Sequence, residues 1–227
     1  MGTLYVVATP IGNMEDITLR AVRVLKEADV ILAEDTRSAA RLLARLKIAG
    51  KTVWRYDEHS HERMLSRILD GLRNGQSFAL TTDAGTPGIS DPGARLVRAA
   101  VELEDVRITP IPGPSALTAV LSVAGFSADR FVFLGFPPHK KGRSAFFKDV
   151  ASRDEIVVLF ESPHRIEKTL AELGGACSLD RRLLLAREIT KLHEEIIRGT
   201  IAEVTARIKT TTIKGEFVLI VGPCRKK

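Results

Sequence analysis

Strict alternation of two hydrophobic periods constrains this chain more than any other feature. Short apolar, β-branched runs at residues 4–8, 30–33, 53–56, 78–81 and 106–109 alternate with stretches at 18–28, 38–46, 61–72 and 93–103, whose apolar residues return every three or four positions. A strand followed by a helix and another strand cannot close as a hairpin. The helix must cross over and lie on the sheet, so the strands run parallel and are covered on both faces. The predicted class is α/β. Beyond Pro110-Ile111-Pro112-Gly113-Pro114 the texture changes: a helix rich in small residues at 115–124, then strands at 130–136, 155–161, 182–189 and 216–221, with helices at 143–150, 165–173 and 201–208. A proline cluster continues neither a helix nor a central strand. Two α/β domains are therefore expected, 1–114 and 115–227.

A length of 227 residues accommodates two such domains of about 110 residues each, both large enough to bury a core. Hydrophobic residues at 44%, charged residues at 27% and a mean hydropathy of +0.04 describe an ordinary globular protein. No apolar run approaches the roughly 18 residues of a spanning helix. The start, Met1-Gly2-Thr3-Leu4-Tyr5-Val6-Val7, has no basic segment ahead of its apolar run, so the expected location is the cytosol. Cys177 and Cys224 lack a C-x-x-C partner, which reads as buried or incidental thiols in a reducing compartment. An excess of 34 Lys and Arg over 28 Asp and Glu, net +6, admits a polyanionic partner, and Arg225-Lys226-Lys227 extends that bias as a basic tail.

Prolines fall beside glycines at strand ends. Thr9-Pro10-Ile11-Gly12-Asn13 follows the first strand, Thr82 to Gly93 (TDAGTPGISDPG) the fourth, and Pro110 to Ser115 the fifth. All three loops should emerge at the carboxyl edge of the sheet, where open α/β folds place ligands. Glycine permits close backbone approach, and proline shapes a loop before its ligand arrives. Asp91 before Pro92 reads as a helix cap. Asp83 has no helix to cap, and its carboxylate suits either ligand hydroxyls or a plain turn. The P-loop, the G-x-G-x-x-G fingerprint and G-x-S-x-G are all absent, which disfavours the commonest nucleotide and hydrolase sites.

Polar clusters form a second layer. Ala33-Glu34-Asp35-Thr36-Arg37 and Asp57-Glu58-His59-Ser60-His61-Glu62 each follow a strand. His59, His61 and Glu62 read as a solvated or capping cluster opening a helix, and no metal is expected. Glu161-Ser162-Pro163-His164-Arg165 again joins strand to helix, and Arg187-Glu188-Ile189-Thr190-Lys191, with Glu194 and Glu195, sets charges beside an apolar strand. Phe136-Pro137-Pro138-His139-Lys140-Lys141-Gly142-Arg143 reads as a solvated basic loop or as a clamp for nucleic-acid phosphates.

Together these segments, with Ile111-Pro112-Gly113-Pro114-Ser115-Ala116 and Lys214-Gly215-Glu216-Phe217, make the chain resemble the tetrapyrrole methylase superfamily of S-adenosylmethionine-dependent methyltransferases. Within it the chain resembles the ribosomal RNA small subunit methyltransferase I family, the 16S rRNA cytidine 2′-O-methyltransferases. The resemblance covers nearly the whole chain. It implies two α/β domains with the methyl donor folded into the cleft between them, in a homodimer. Pro10, Gly12, Asp83, Ala84, Gly85, Thr86, Pro87, Ser115 and Ala116 match the N-terminal side of that pocket. Leu159, Phe160, Ile189, Lys214, Gly215 and Glu216 match its C-terminal side. A ribose hydroxyl needs a base or polarising partner. Glu188 and Lys191 are the favoured pair, ahead of Asp35 and His59, with a structural ion pair as the other reading. Arg37, Lys140, Lys141, Arg143 and Arg165 are the candidate contacts to RNA phosphates. Carbon methylation of a corrinoid or porphyrin precursor, or a non-enzymatic RNA-binding scaffold, are the alternatives. Members of the family usually continue into a small helical domain, whereas this sequence ends at Lys227, and a reduced affinity for RNA is expected.

Overall fold

In a computed structural model, which describes residues 1–57, 61–91, 93–210 and 213–224, the chain forms two compact units, Met1–Ser115 and Ala116–Lys227. The first unit alternates β1 (Gly2–Val7), α1 (Leu19–Glu27), β2 (Val30–Ala33), α2 (Thr36–Arg45), β3 (Thr52–Arg55), α3 (His61–Arg73), β4 (Ser77–Leu80), α4 (Gly93–Val101) and β5 (Val106–Ile111). Its sheet has the order β3-β2-β4-β1-β5 and every pairing is parallel. Side chains sort by the two-residue period of the strands. Leu4, Val30, Leu32, Phe78 and Leu80 form one core with residues of α3 and α4, while Val7, Ile31, Ala79 and Ile111 form another with residues of α1 and α2. The connections carrying α1 and α2 step towards β3, and those carrying α3 and α4 step back towards β5. The direction of travel thus separates the two helical layers. Gly2 sits where the end of α3 presses on β1: a Cβ there would lie 2.0 Å from the Leu72 carbonyl oxygen.

The second unit contains α5 (Ala116–Ser122), β6 (Phe131–Gly135), α6 (Arg143–Ser152), β7 (Ile156–Glu161), α7 (Ile166–Ala176), β8 (Arg182–Arg187), β9 (Glu195–Thr200), α8 (Ile201–Ile208) and β10 (Phe217–Val221). The sheet order is β6-β7-β10-β8-β9. β6 and β7 are parallel, β10 is antiparallel to both β7 and β8, and β9 is antiparallel to β8. α6, α7 and α8 cover one face, over Val157, Leu159, Leu185 and Leu219, while α5 packs on the other, over Val158, Leu184, Ala186 and Ile220. Two details depart from the sequence expectation. The predicted strand 182–189 stops at Arg187, because Glu188 and Thr190 take left-handed φ values of 50° and 65° and turn the chain back. That turn delivers β9, a strand absent from the sequence reading, whose core side chain Ile197 alternates with exposed Arg198. Thr200 and Glu203 then open α8 with a reciprocal capping box. Among the described residues no helix is long and apolar enough to cross a membrane.

Asp29 closes the amino edge of the first sheet. Its carboxylate accepts from the Ser77 backbone N–H at 2.8 Å and the Ser77 hydroxyl at 2.6 Å, bonds that hold its pKa below the ordinary value. A depressed carboxyl stabilises the fold above its unfolded pKa, and that contribution is lost as pH falls through the lower folded value. Asp29→Ala should therefore cost about 0.5 kcal/mol at neutral pH, small because the group is exposed. The gap to the parent in urea unfolding should begin to narrow near pH 4 or so, where the unfolded carboxyl takes up its proton, and should close only below the lower folded pKa, where Asp29 is protonated in both states; a gap unchanged at acid pH would remove the charge from this account.

Candidate active site

Parallel strands deliver all their carboxyl ends to one edge. In the first unit, β1 and β4 are neighbours whose following helices leave in opposite directions, and an open sheet has its crevice at such a point. The loops after these strands are joined by backbone bonds. Thr9 N–H donates to the Gly85 carbonyl at 2.9 Å and Gly85 N–H to the Thr9 carbonyl at 3.0 Å, while the Thr9 hydroxyl donates to the Thr82 carbonyl at 3.1 Å. The Thr86 hydroxyl reaches the Pro114 carbonyl at 3.3 Å, which ties in the loop after β5. Gly85 and Gly88 have φ of 85° and 88°, where side chains are strained, and a Cβ on Gly113 would come within 3.0 Å of the Ala8 Cβ. Asp91 accepts from Gly88 N–H at 2.5 Å and Gly93 N–H at 3.3 Å, so it fastens the loop and the start of α4, as a cap would. Gly85 and Pro87 are buried and shape the loop. Asp83 and Ala84 are exposed, as is Gly12, and Pro10, Thr86, Ser115 and Ala116 are half-buried.

This edge is acidic. Burial raises the pKa of Glu34, and the carboxylates of Asp83, Asp91 and Asp57 raise it further against a hydrogen bond from Thr82. Asp83 makes no hydrogen bond or ion pair with a described residue. Asp35 behaves differently: it caps α2 by accepting from Arg37 N–H at 2.8 Å and pairs with the Arg37 guanidinium, and these bonds push its pKa down to about 2. So weak a base is a poor proton acceptor, which corrects its candidacy. Arg37 itself remains exposed.

At the second unit's edge, the carboxyl ends of β6, β7 and β8 meet the amino end of β10. The Glu188 carboxylate accepts from Glu216 N–H at 3.0 Å and from Lys191 Nζ at 2.8 Å, and Lys191 also reaches Glu216 at 3.0 Å. Burial pushes the Glu188 pKa up, but the bonds from Lys191 and from Glu216 N–H outweigh it and the pKa lies below its ordinary value. Burial likewise depresses Lys191, yet its two carboxylate partners leave it raised. These directions hold Lys191 protonated and Glu188 ionised. The expected pair does meet, as an ion pair that braces the strand ends. Gly215, at φ 90°, passes so close to this brace that a Cβ there would lie 2.3 Å from the Glu188 side chain.

Two of the predicted RNA contacts also need correction. The Arg143 guanidinium is buried and bonded through each of its nitrogens: Nε donates to Glu172 at 2.5 Å, Nη1 to the Pro138 carbonyl at 2.9 Å and Nη2 to the Thr169 hydroxyl at 2.7 Å. Arg165 donates to Glu161 through Nε at 2.8 Å and Nη2 at 2.7 Å, and to the Pro137 carbonyl at 3.0 Å through Nη1. Glu161, 1% exposed, also accepts from the Thr169 hydroxyl at 2.6 Å. Each arginine thus commits all three guanidinium nitrogens to bonds within the unit, which turns its charge inward rather than towards a phosphate. Lys140 and Lys141, by contrast, are exposed. Leu159 is corrected as well. Its side chain is wholly buried beneath the α6–α8 layer and offers a ligand no surface, whereas Phe160 lies on the opposite face with Ile189. Lys214 is exposed beside Gly215 and Glu216.

The sequence reading missed the Glu161–Thr169 bond and the strain on Glu34. Thr169 was legible in principle, four residues after Arg165 and so on the same side of α7. His59, Glu58, Pro92 and the basic end 225–227 lie outside the described residues, as does the side chain of His61. Among the described residues no cluster of metal-binding side chains occurs.

Removing Glu161 leaves half-buried Arg165 without its carboxylate and the buried Thr169 hydroxyl without its acceptor, a change that costs about 3 kcal/mol. Glu161→Ala should thus lower the melting temperature severely, whereas Arg37→Ala, at an exposed pair, should leave it nearly unchanged. Equal melting of the two variants would contradict the buried network.

The family model of the tetrapyrrole (corrin/porphyrin) methylases matches residues 3–205 of this chain. The ribosomal RNA small subunit methyltransferase I of Halalkalibacterium halodurans is 45% identical over 221 residues, covering 97% of this chain and 75% of the relative. That of Neisseria meningitidis serogroup B is 46% identical, covering 99% and 77%. Among solved structures, a cobalt precorrin-4 methyltransferase superposes with a TM-score of 0.70 at 23% identity, covering 97% of this chain and 94% of that one. A diphthine synthase superposes with 0.74 at 15% identity, covering 98% and 90%. At such identities these structures speak for the fold alone. The parallel sheet with its hydrogen-bonded glycine and proline loops, the mixed second sheet and the kinship over nearly all of this chain agree: the chain belongs to the tetrapyrrole methylases and, among them, to the ribosomal RNA small subunit methyltransferase I family.

Proposed function

We propose that the protein methylates the RNA of the small ribosomal subunit, using S-adenosylmethionine as donor and the 2′-oxygen of a cytidine in 16S rRNA as acceptor. The observation that carries this reading is the near-full-length identity to ribosomal RNA small subunit methyltransferase I of two distant bacteria. Bound S-adenosylmethionine supplies a methyl carbon made electrophilic by its sulfonium. The first unit's carboxyl edge suits such a molecule. Its glycines leave room for backbone approach, the exposed Asp83 carboxylate is free to accept from hydroxyl or amino groups, and the carboxylates around Glu34 favour a cation. In this reading Pro10, Gly12 and the loop from Asp83 to Pro87, with Ser115 and Ala116, hold the donor. The chain's main task is alignment and exclusion of water, because in-line transfer gains most from fixed geometry. Lys140, Lys141 and Arg37 face the RNA, binding phosphates without reading bases.

Carbon methylation of a corrinoid is favoured less. The corrinoid enzymes share the fold at 23% identity or below, and paired exposed lysines on a proline-stiffened loop suit a polyanion better. The proposal includes a homodimer in the cytoplasm, as the family resemblance implies. Sedimentation should then return twice the 24.9 kDa of one chain. Labelled donor incubated with purified small subunits, or with a precorrin extract, decides the substrate. Label in 16S rRNA, mapped to a cytidine ribose, is the expected result, and label in the corrinoid alone would overturn the proposal.

Calorimetry tests the donor site. Asp83→Ala should weaken donor binding roughly tenfold, the scale of a lost charge-assisted hydrogen bond. A cationic ligand favours ionised Glu34, so donor affinity should fall as pH drops through the raised Glu34 range, and Glu34→Gln should flatten that dependence. A pH profile identical in parent and variant would separate Glu34 from donor binding.

A further inference from the structure

The basic loop after β6 carries more than charge. Phe133 meets Phe160 edge-on at 4.8 Å between centroids, and Phe160 meets Phe136 edge-on at 5.7 Å. The ladder starts in the core beside α5 and ends on Phe136, 51% exposed at the carboxyl end of β6. An exposed apolar ring by itself means little. This one stands on a mount. The carbonyls of the next two residues, Pro137 and Pro138, are gripped by the guanidiniums of half-buried Arg165 and buried Arg143 at 3.0 and 2.9 Å. Glu161 and the Thr169 hydroxyl fix those guanidiniums in turn. At the far end Gly142, at φ 81°, opens α6. Between these anchors Lys140 and Lys141 are exposed and form no ion pair with a described residue. Two proline rings and two charge-assisted bonds spent on an exposed segment indicate a surface rigid before its ligand arrives, which lowers the entropic cost of binding.

We propose that Phe136 is a stacking platform for an unpaired base of an RNA single strand. Lys140 and Lys141 take the adjoining phosphates, and Arg143, Arg165, Glu161 and Thr169 act as positioning residues that hold the ring at fixed height. An aromatic face beside paired cations is the usual means of gripping single-stranded nucleic acid, because every base offers a π-face. This inference rests on the ribosomal RNA reading and adds to it how the acceptor strand is held.

A short single-stranded ribo-oligonucleotide carrying 2-aminopurine tests it, since stacking quenches that base. The parent should bind and quench. Phe136→Leu keeps an apolar contact to Phe160 but removes the π-face. It should melt as the parent does, bind about tenfold more weakly and lose the quenching, and Phe136→Tyr should restore both. Thr169→Val, which loosens the mount, should reduce quenching while the lysines still bind. A Phe136→Leu protein that quenches and binds like the parent overturns the platform and leaves the ribosomal RNA reading intact. A parent that binds no RNA at low salt overturns that reading itself.

Discussion

Parallel strands cannot be joined by a tight turn, and most of this molecule's functional geometry follows from that restriction. Each strand of the first unit must be followed by a crossover, so five carboxyl ends arrive at one edge and five amino ends at the other. Ligand loops need no separate arrangement to converge; the ladder brings them together. The chain adds fastening. A reciprocal pair of backbone bonds between Thr9 and Gly85 joins the loops of β1 and β4 at the point where the helical layers diverge, and the Thr86 hydroxyl draws in the third loop. The second unit reaches a similar result with an antiparallel β10 between β7 and β8, which brings the Gly215 turn against the chain leaving β8.

The two edges treat charge in opposite ways. At the first, burial and the nearby carboxylates of Asp83, Asp91 and Asp57 together raise the pKa of Glu34. Such a field is unfavourable in the free protein and becomes useful when a cation is bound. At the second, the cations of Arg143 and Arg165 are turned inward. Arg143 and Arg165 spend their donors on carboxylates, a hydroxyl and proline carbonyls, so the charge is converted into loop rigidity while exposed lysines carry the field outward. Arg181 does similar work at the opposite end of the unit, donating to the Val150 and Ala151 carbonyls at 3.0 Å and to Gly222 at 2.7 Å, which ties the end of α6 to the end of β10.

Periodicity made the first unit legible because its strands are buried on both faces and its helices are strongly amphipathic, so each element carries its own signal. The carboxyl-edge loops were legible for a related reason, since glycine and proline mark backbone demands directly. Legibility failed where a side chain's partner is distant in sequence. Arg143 and an exposed lysine look alike in a basic run, and only the approach of Glu172 and Thr169, more than twenty residues away, takes the arginine inside. Leu159 and Phe160 likewise look equivalent until strand register assigns them to opposite faces. β9 escaped because its hairpin depends on left-handed Glu188 and Thr190, residues that do not advertise that conformation as glycine would.

Strand order also bears on when each unit can form during translation. The first sheet is complete once Ile111 has left the ribosomal tunnel, and it can fold while the remainder is still being synthesised. The second cannot, because β10, made last of its strands, lies in the middle of the sheet and supplies the hydrogen bonds that join the β6–β7 pair to the β8–β9 hairpin. Until it emerges, the apolar edges of β7 and β8 have only each other or a neighbouring nascent chain to pair with. An already folded first unit leaves those edges as the main surface for a chaperone to shield.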